Sequence, residues 1–249
     1  MGNNQTTEVQ KEKRLLGKLM NVSELSSEQK IKMLHLLKIY FDNVKEALFF
    51  KDLSEKEWVI IFEDIANGEI QGFSTQTLID AEIDTISIKA LFSGDTIIDK
   101  NYWGSRELPR VWGKLVSSLM KKFEGIKLYW FYISKGYMTY LLMPRYFHNF
   151  YPKYDSEIPE FEKKVLDTLA SKKFGSGYDS KRGIVTIEFN YYLRMEVGQI
   201  TEDLLKDPNI RFFKSRNPNY IKGEELACLV KLTEDNMQLI FKQIINDEK

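Results

Sequence analysis

The stretch Ala90-Leu-Phe-Ser-Gly-Asp-Thr-Ile-Ile-Asp99, continued by Lys100-Asn-Tyr-Trp-Gly-Ser-Arg-Glu107, a run to Phe123 and then Leu128-Tyr-Trp-Phe-Tyr-Ile-Ser134, decides the fold. Leu108, Val111, Trp112, Leu115, Val116, Leu119, Met120 and Phe123 recur at spacings of three and four, so a helix over 108–123 carries them on one stripe. Short β-branched and aromatic runs flank it, Thr96 to Ile98 before and Leu128 to Ile133 after. A helix of this length between two strands makes them parallel neighbours joined by a right-handed crossover. The helix N-terminus, with unpartnered N–H groups and partial positive charge, then faces the space beyond the carboxyl end of the first strand. An anion, typically a phosphate, belongs there.

Composition narrows the classes. The chain has 249 residues, of which 43% are apolar, enough for a packed core. Its 36 basic residues balance 36 acidic ones, so the basic excess that drives nonspecific nucleic-acid or membrane binding is missing. Cys228 is the single cysteine and excludes an internal disulfide; its apolar setting reads as a buried strand, and reducing cytoplasm is the expected compartment. No apolar run approaches the roughly 18 residues of a spanning helix. The two histidines, His35 and His148, have no second ligand at metal spacing, so no metal site is expected.

Outward from the central unit, residues 1–17 are polar and expected to fray. A strand at Lys18 to Val22 and a helix over Ser27 to Leu48 follow, the helix opened by Ser26-Ser27-Glu28. Trp58 to Phe62, the Asn67-Gly68 turn and Ile70 to Ile79 read as a hairpin, and Thr85 to Phe92 as the next strand. Gly94 within that strand pattern marks a bulge or a close backbone approach. Beyond the unit, Gly136 to Tyr151 is spaced for a helix that Pro144 would kink or delay. A helix at Pro159 to Ser171 and a strand at Gly183 to Phe189 come next. Residues 190–224 read as mostly irregular, with a short helix near Thr201 to Lys206 and a loop from Arg211 to Tyr220. Leu226 to Leu232 is the last strand and Glu234 to Ile245 the closing helix. Without repeats or a Pro, Gly or Ser linker, residues 18–249 read as one mixed α/β domain.

That order of elements resembles the GNAT superfamily of N-acetyltransferases, and Ile97-Ile-Asp-Lys-Asn-Tyr-Trp-Gly-Ser-Arg106 resembles the family's pyrophosphate-binding turn, V-x-P-x-Y-R-G-x-G. With Tyr102 on the motif tyrosine, Trp103 takes the arginine or glutamine place and Arg106 the place of a glycine. With Gly104 moved instead onto that last glycine, Asn101 takes the arginine or glutamine place. Backbone donors do most of the holding, so either alignment keeps the site. The resemblance implies a central mixed β-sheet flanked by helices, with insertions at 152–182 and 190–224 beyond a minimal family member. It implies acetyl-CoA or another acyl-CoA as cosubstrate, touched by Ile98, Asp99, Trp103, Gly104, Ser105 and Arg106. The acceptor would be an amine on a small molecule or peptide.

Two residues are candidates for catalysis. Asp95 has two readings, a general base that deprotonates the incoming ammonium or a cap for the bulge. Tyr146 stands, with Thr139 and Tyr151, where the family often has an asparagine, a tyrosine and a closing aromatic; the tyrosine there commonly protonates the leaving thiolate, a task a neutral phenol suits. Two hypotheses stand: an acyl-CoA-dependent N-acyltransferase, or a GNAT-like module that binds a ligand or protein without transfer. The Arg211 to Pro218 stretch is either a cover for the acceptor pocket or an edge-covering loop. If the two insertions confer acceptor specificity, they should wall the side of the sheet where the amine enters.

Overall fold

A computed structural model describes residues 14–188 and 191–247. Residues 1–13 of the segment expected to fray lie outside these, but Leu15, Leu16 and Gly17 already belong to the first strand, β1 (Leu15–Asn21). Ser26 then caps α1 (Ser27–Tyr40): its hydroxyl accepts from Gln29 N at 3.1 Å while Gln29 Oε1 accepts from Ser26 N at 2.9 Å. The single helix expected to Leu48 is in fact two. Phe41 turns extended, and Asn43 adopts a φ of 62° that no helix tolerates. So β2 (Phe41–Asp42) separates α1 from α2 (Glu46–Ser54).

The meander follows as β3 (Trp58–Asp64), β4 (Ile70–Ile83) and β5 (Ile86–Ile98). The runs Thr85 to Phe92 and Thr96 to Ile98, which look like separate strands, are one strand interrupted by a bulge. Next come α3 (Glu107–Lys122), β6 (Lys127–Ser134), α4 (Tyr137–Tyr140) and α5 (Leu142–Tyr146). The helix expected to run to Tyr151 breaks at Leu141 and ends at Tyr146. Past it Phe147 is extended, and Tyr151 bridges to Leu229 at the edge of the last strand.

The rest is α6 (Glu160–Phe174), β7 (Tyr178–Asp179), β8 (Ile184–Val185), β9 (Tyr192–Leu193), α7 (Met195–Gly198), α8 (Pro208–Arg216), β10 (Glu225–Lys231) and α9 (Leu239–Asn246). The strand expected over Gly183 to Phe189 is paired only at β8, and Phe189 is outside the described residues. The helix expected at Thr201 to Lys206 is a single 3-10 turn, Leu204–Lys206. The loop expected at Arg211 to Tyr220 is instead largely helical. Asp207 caps α8 by accepting from Asn209 N at 2.7 Å, Pro208 fills the first position, and Ile210 and Phe213 bury one face.

The main sheet runs β1-β3-β4-β5-β6-β10-β8-β7, antiparallel except for the central β5–β6 pair. It is the mixed α/β sheet, flanked by helices, that the sequence led us to expect. One face carries α3, α5, α8 and α9 over a core that includes Trp112, Trp130 and Phe241. The other carries α1 and α2 over Phe73 and Ile61, and α6 over Phe92 and Phe131. Val111, Trp112, Leu115, Val116 and Leu119 of α3 are all buried. Each contributes about 1.5–3 kcal/mol before entropy is subtracted, so α3 is firmly seated. Its first turn is pinned by Glu107, which accepts from Gly17 N of β1 at 3.1 Å and pairs with Arg110 at 2.6 Å.

Candidate active site

The parallel ladder of β5 and β6 runs from Ile88 opposite Lys127 to Ser93 opposite Tyr132 and then stops. There β4 and β5 change register: Gln76 pairs with Ser93 but Ser74 pairs with Thr96, so Gly94 and Asp95 together stand opposite Thr75. Position 94 has no room for a side chain, since a Cβ would lie 2.6 Å from Thr75 Oγ1 and 2.8 Å from Lys56 Cε. Past the bulge, β5 and β6 part. On the α3 face the parting opens a narrow slot of about 50 Å³, bordered by Leu108, Pro109, Trp112, Leu142 and Tyr146. On the α2 and α6 face lies a cavity of about 830 Å³. Gly94, Thr96, Ile133 and Thr139 line both, so slot and cavity adjoin at the gap.

A buried chain of hydrogen bonds holds the bulge on the slot side. Trp130 Nε1 donates to Ser93 Oγ at 2.9 Å, Ser93 to Gln76 Oε1 at 2.6 Å, and Gln76 Nε2 to Ser74 Oγ at 2.8 Å. Ser74 and Thr96 hydroxyls meet at 2.7 Å, and Thr96 donates to the carbonyl of Gly94 at 3.3 Å. Every link has a donor and an acceptor when Ser74 donates to Thr96, so the chain runs one way and ends on the bulge itself.

Asp95 lines the cavity. Burial is the main influence that raises its carboxyl to about 6, with neighbouring Asp52 adding to it; the hydrogen bond from Tyr191 and the charges of Lys135 and Lys56 pull it back. Tyr191 is placed by the small β2–β9 sheet, in which Phe41 pairs with Leu193 and Asp42 with Tyr192, and its ring meets Phe41 edge-on at 5.1 Å. Lys135 pairs with Glu225 at 2.7 Å and lies 4.0 Å from the Tyr191 ring centre. Lys56, its side chain fully buried, pairs with Asp52 at 2.5 Å.

Tyr146 borders the slot from the other face. Its ring packs 5.1 Å from Phe241, and its hydroxyl has no hydrogen-bond partner among the described residues. Burial raises the phenol above its usual value, and the cations of Arg145 and Arg106 oppose that rise. The turn that leads into α3 lies nearby. Gly104 has a φ of 89° with open space over it, and Arg106 is exposed. The Trp103 and Ser105 N–H groups are used inside the turn, on the carbonyls of Lys100 and Tyr102. Those of Gly104, Arg106 and Leu108 have no partner among the described residues.

The other expected donor-site residues build the turn. Asp99 caps it, accepting from Asn101 N at 2.9 Å, and receives the Tyr40 hydroxyl at 2.9 Å. The Ile98 carbonyl accepts from Trp103 Nε1 at 2.8 Å. Sequence reasoning missed Tyr191, Lys135, Glu225, Lys56 and Gln76. For Gln76 a signal existed, the polar run Ser74-Thr75-Gln76-Thr77 inside a strand with an apolar start. Of the two late segments, 152–182 walls the cavity through Lys173, Phe174, Ser176 and Gly177. Segment 190–224 divides: Tyr191 is at the cavity, while α8 packs Phe212 and Phe213 against Tyr140 on the slot face. The Arg211 to Pro218 stretch therefore does not cover the cavity. Among the described residues no group of three His, Cys, Asp or Glu side chains could hold a metal ion, and no helix is long and apolar enough to cross a membrane.

No protein-family model matches this sequence, and no curated protein matches it at a significant level. Solved structures do share parts of its shape. One is a GNAT family N-acetyltransferase, YhbS of Escherichia coli, in complex with CoA: 14% identity, TM-score 0.36, 50% of this chain and 65% of that one. Another is a probable N-acyltransferase of Enterococcus faecalis: 10% identity, TM-score 0.42, 88% of this chain and 66% of that one. A third, glucosamine-6-phosphate N-acetyltransferase of Arabidopsis thaliana, has 13% identity and a TM-score of 0.37 over 59% of this chain and 98% of that one.

Proposed function

We propose that the protein is an N-acyltransferase of the GNAT superfamily, moving an acyl group from acyl-coenzyme A to an amine. The gap beyond Ser93 and Tyr132 carries this reading, because it joins a narrow slot beside the N-terminus of α3 to a large cavity on the opposite face. Two substrates can enter from opposite sides and meet at the parted strands, which converts an encounter of two molecules into a reaction within one complex. The open face of Gly104 and the N–H groups of Gly104, Arg106 and Leu108 fit a pyrophosphate, with Arg106 supplying charge.

In this reading the acceptor occupies the cavity with its nitrogen at Asp95. A carboxylate whose pKa is about 6 is a stronger base than an exposed one and is still mostly ionised at neutral pH. It takes the proton that the nitrogen loses as the C–N bond forms. On the slot side Tyr146, its phenol held neutral, donates a proton to the sulfur as the C–S bond breaks. The products are an amide and free coenzyme A thiol. The test is to titrate the protein with coenzyme A by calorimetry and to monitor thiol release from acyl-coenzyme A thioesters across a panel of small amines and peptides. A chain that binds no coenzyme A is not this enzyme; one that binds it but releases no thiol with any amine is a binding module.

A further inference from the structure

Four lysines line the large cavity: Lys45, Lys51, Lys135 and Lys173. Lys45, just before α2, and Lys51, on it, are exposed, and Lys135 is paired with Glu225. Lys173, in the last turn of α6, differs from all three. It is half-buried, has no carboxylate partner among the described residues, and holds its Nζ 4.6 Å from the centre of the Phe92 ring and 5.8 Å from that of Phe174. Lys56 approaches the same Phe92 ring at 5.9 Å, so a second ammonium stands close by. Burial first, and that neighbour second, lower the Lys173 amine below the usual lysine value, while the carboxylates of Asp52 and Glu55 pull it part of the way back. An amine that is desolvated and set beside another cation is the arrangement that makes lysine nucleophilic at neutral pH.

Its position points to what it would attack. Phe92 precedes Gly94 by two residues, about 7 Å along the strand, on the face that opens to the cavity. We infer that the Lys173 amine itself accepts an acyl group from the thioester presented at the gap, an inference that rests on the donor reading above. The neutral amine attacks the thioester carbonyl, a C–N bond forms, the C–S bond breaks, and the proton lost by nitrogen ends on the departing thiol. Acyl-Lys173 has no charge and is longer than lysine, so it narrows the cavity and removes a cation from its wall. Donor supplied without acceptor thus turns down transfer to outside amines.

The test is peptide mapping by mass spectrometry after incubating the whole chain with acetyl-coenzyme A alone. The expected result is one acetyl group on Lys173, gained on the order of tenfold or more faster than on Lys45 and Lys51, blocked by excess coenzyme A and absent in Lys173→Arg. Equal labelling of the three lysines, or none at Lys173 in protein that calorimetry shows to bind coenzyme A, overturns the inference and leaves the donor reading standing. Protein that binds no coenzyme A removes the donor reading, and self-acylation from a thioester with it. A second arm uses limiting acetic anhydride, which needs no donor site. Preferential reaction at Lys173 supports its nucleophilicity, and reaction no faster than at Lys45 overturns it whatever the fate of the donor site.

Discussion

The hydroxyl of Tyr191 donates a hydrogen bond to the carboxylate of Asp95, joining residues 96 positions apart at the wall of the large cavity. Burial favours the neutral acid at Asp95 and this bond favours the anion, so Tyr191 works against the main influence on the group. Removing the bond in Tyr191→Phe should move Asp95 still higher. We expect kcat/KM to rise with pH through about 6 in the wild type, as Asp95 ionises, and the same limb to shift to higher pH in Tyr191→Phe. Asp95→Asn should lower kcat by roughly 10²- to 10⁴-fold and abolish the limb. A limb that stays in place in Tyr191→Phe would mean that another group sets it.

The same group has a consequence for stability, with a definite sign. The folded form holds the Asp95 proton more tightly than the unfolded chain, where a carboxyl titrates near 4, so the folded form binds more protons between the two values. Stability contributed at this site therefore falls as pH rises through about 4 to 6, and the penalty is complete above that window. Asp95→Asn, which cannot ionise, should raise Tm at pH 7–8 relative to wild type, and the gain should vanish near pH 3. Melting curves for both proteins across that range check it.

Tyr102 and Tyr146 are both buried, but their hydroxyls do opposite things. Tyr102 donates to Asp64 at 2.5 Å and fastens the turn before α3 to β3, whereas the Tyr146 hydroxyl has no partner among the described residues. Tyr102→Phe should thus cost about 1–3 kcal/mol of stability, the range for depriving a buried polar group of its partner. Tyr146→Phe keeps the ring on Phe241 and should change stability by less than about 0.5 kcal/mol while lowering turnover by roughly 10²- to 10⁴-fold. Denaturant unfolding and steady-state rates separate the two. Full turnover in Tyr146→Phe would return that residue to the core.

What could be foreseen was local. The stripe from Val111 to Leu119 specifies α3, Gly94 marks the bulge, and a glycine two residues after Tyr102 marks the turn; each depends on neighbours within a few positions. The break between α1 and α2 was hidden because an apolar period continues through Phe41 and Val44, and only the positive φ of Asn43 ends it. At α8 the Asp207-Pro208 pair is a helix start, but the many Arg and Asn residues that follow it carry a loop's composition. The large cavity was out of reach on other grounds. Its walls come from α2, β5, the end of α6 and the stretch around Tyr191, and no local pattern brings those together. Asp95 is legible as a candidate; Tyr191, Lys135 and Asp52, which adjust the acidity that burial sets, are not.

The turn should govern donor affinity alone. Gly104 has a φ of 89° and nothing within 4 Å of where a Cβ would stand, so a substituent there meets the ligand's space and not the protein. Gly104→Val puts a branched side chain in the left-handed region, at a cost of about 1–2 kcal/mol, and crowds the N–H groups that face outward. Coenzyme A affinity should fall on the order of tenfold or more, with Gly104→Ala intermediate. Calorimetric titration of the three proteins decides. Equal affinities would remove the turn from the donor site.

The bulge should govern both substrates at once, because slot and cavity adjoin there. In Gly94→Ala the added Cβ meets Thr75 Oγ1 at 2.6 Å and Lys56 Cε at 2.8 Å, and Lys56, fully buried and paired with Asp52, has little room to retreat. We expect a loss of about 1–3 kcal/mol from overpacking. Gln76→Leu attacks the same feature from the slot side: it leaves Ser93 without its acceptor and Ser74 without a donor in a fully buried setting, at about 1–3 kcal/mol for each stranded group. Neither substitution touches the turn at Gly104. Coenzyme A should therefore still bind to both variants through its phosphates, while thiol release in the presence of acceptor falls sharply, because the thioester and the amine no longer meet at a correctly parted pair of strands. Calorimetry and thiol release on folded samples test this together. If Gly94→Ala folds and turns over normally, the gap between β5 and β6 is not where the two substrates meet.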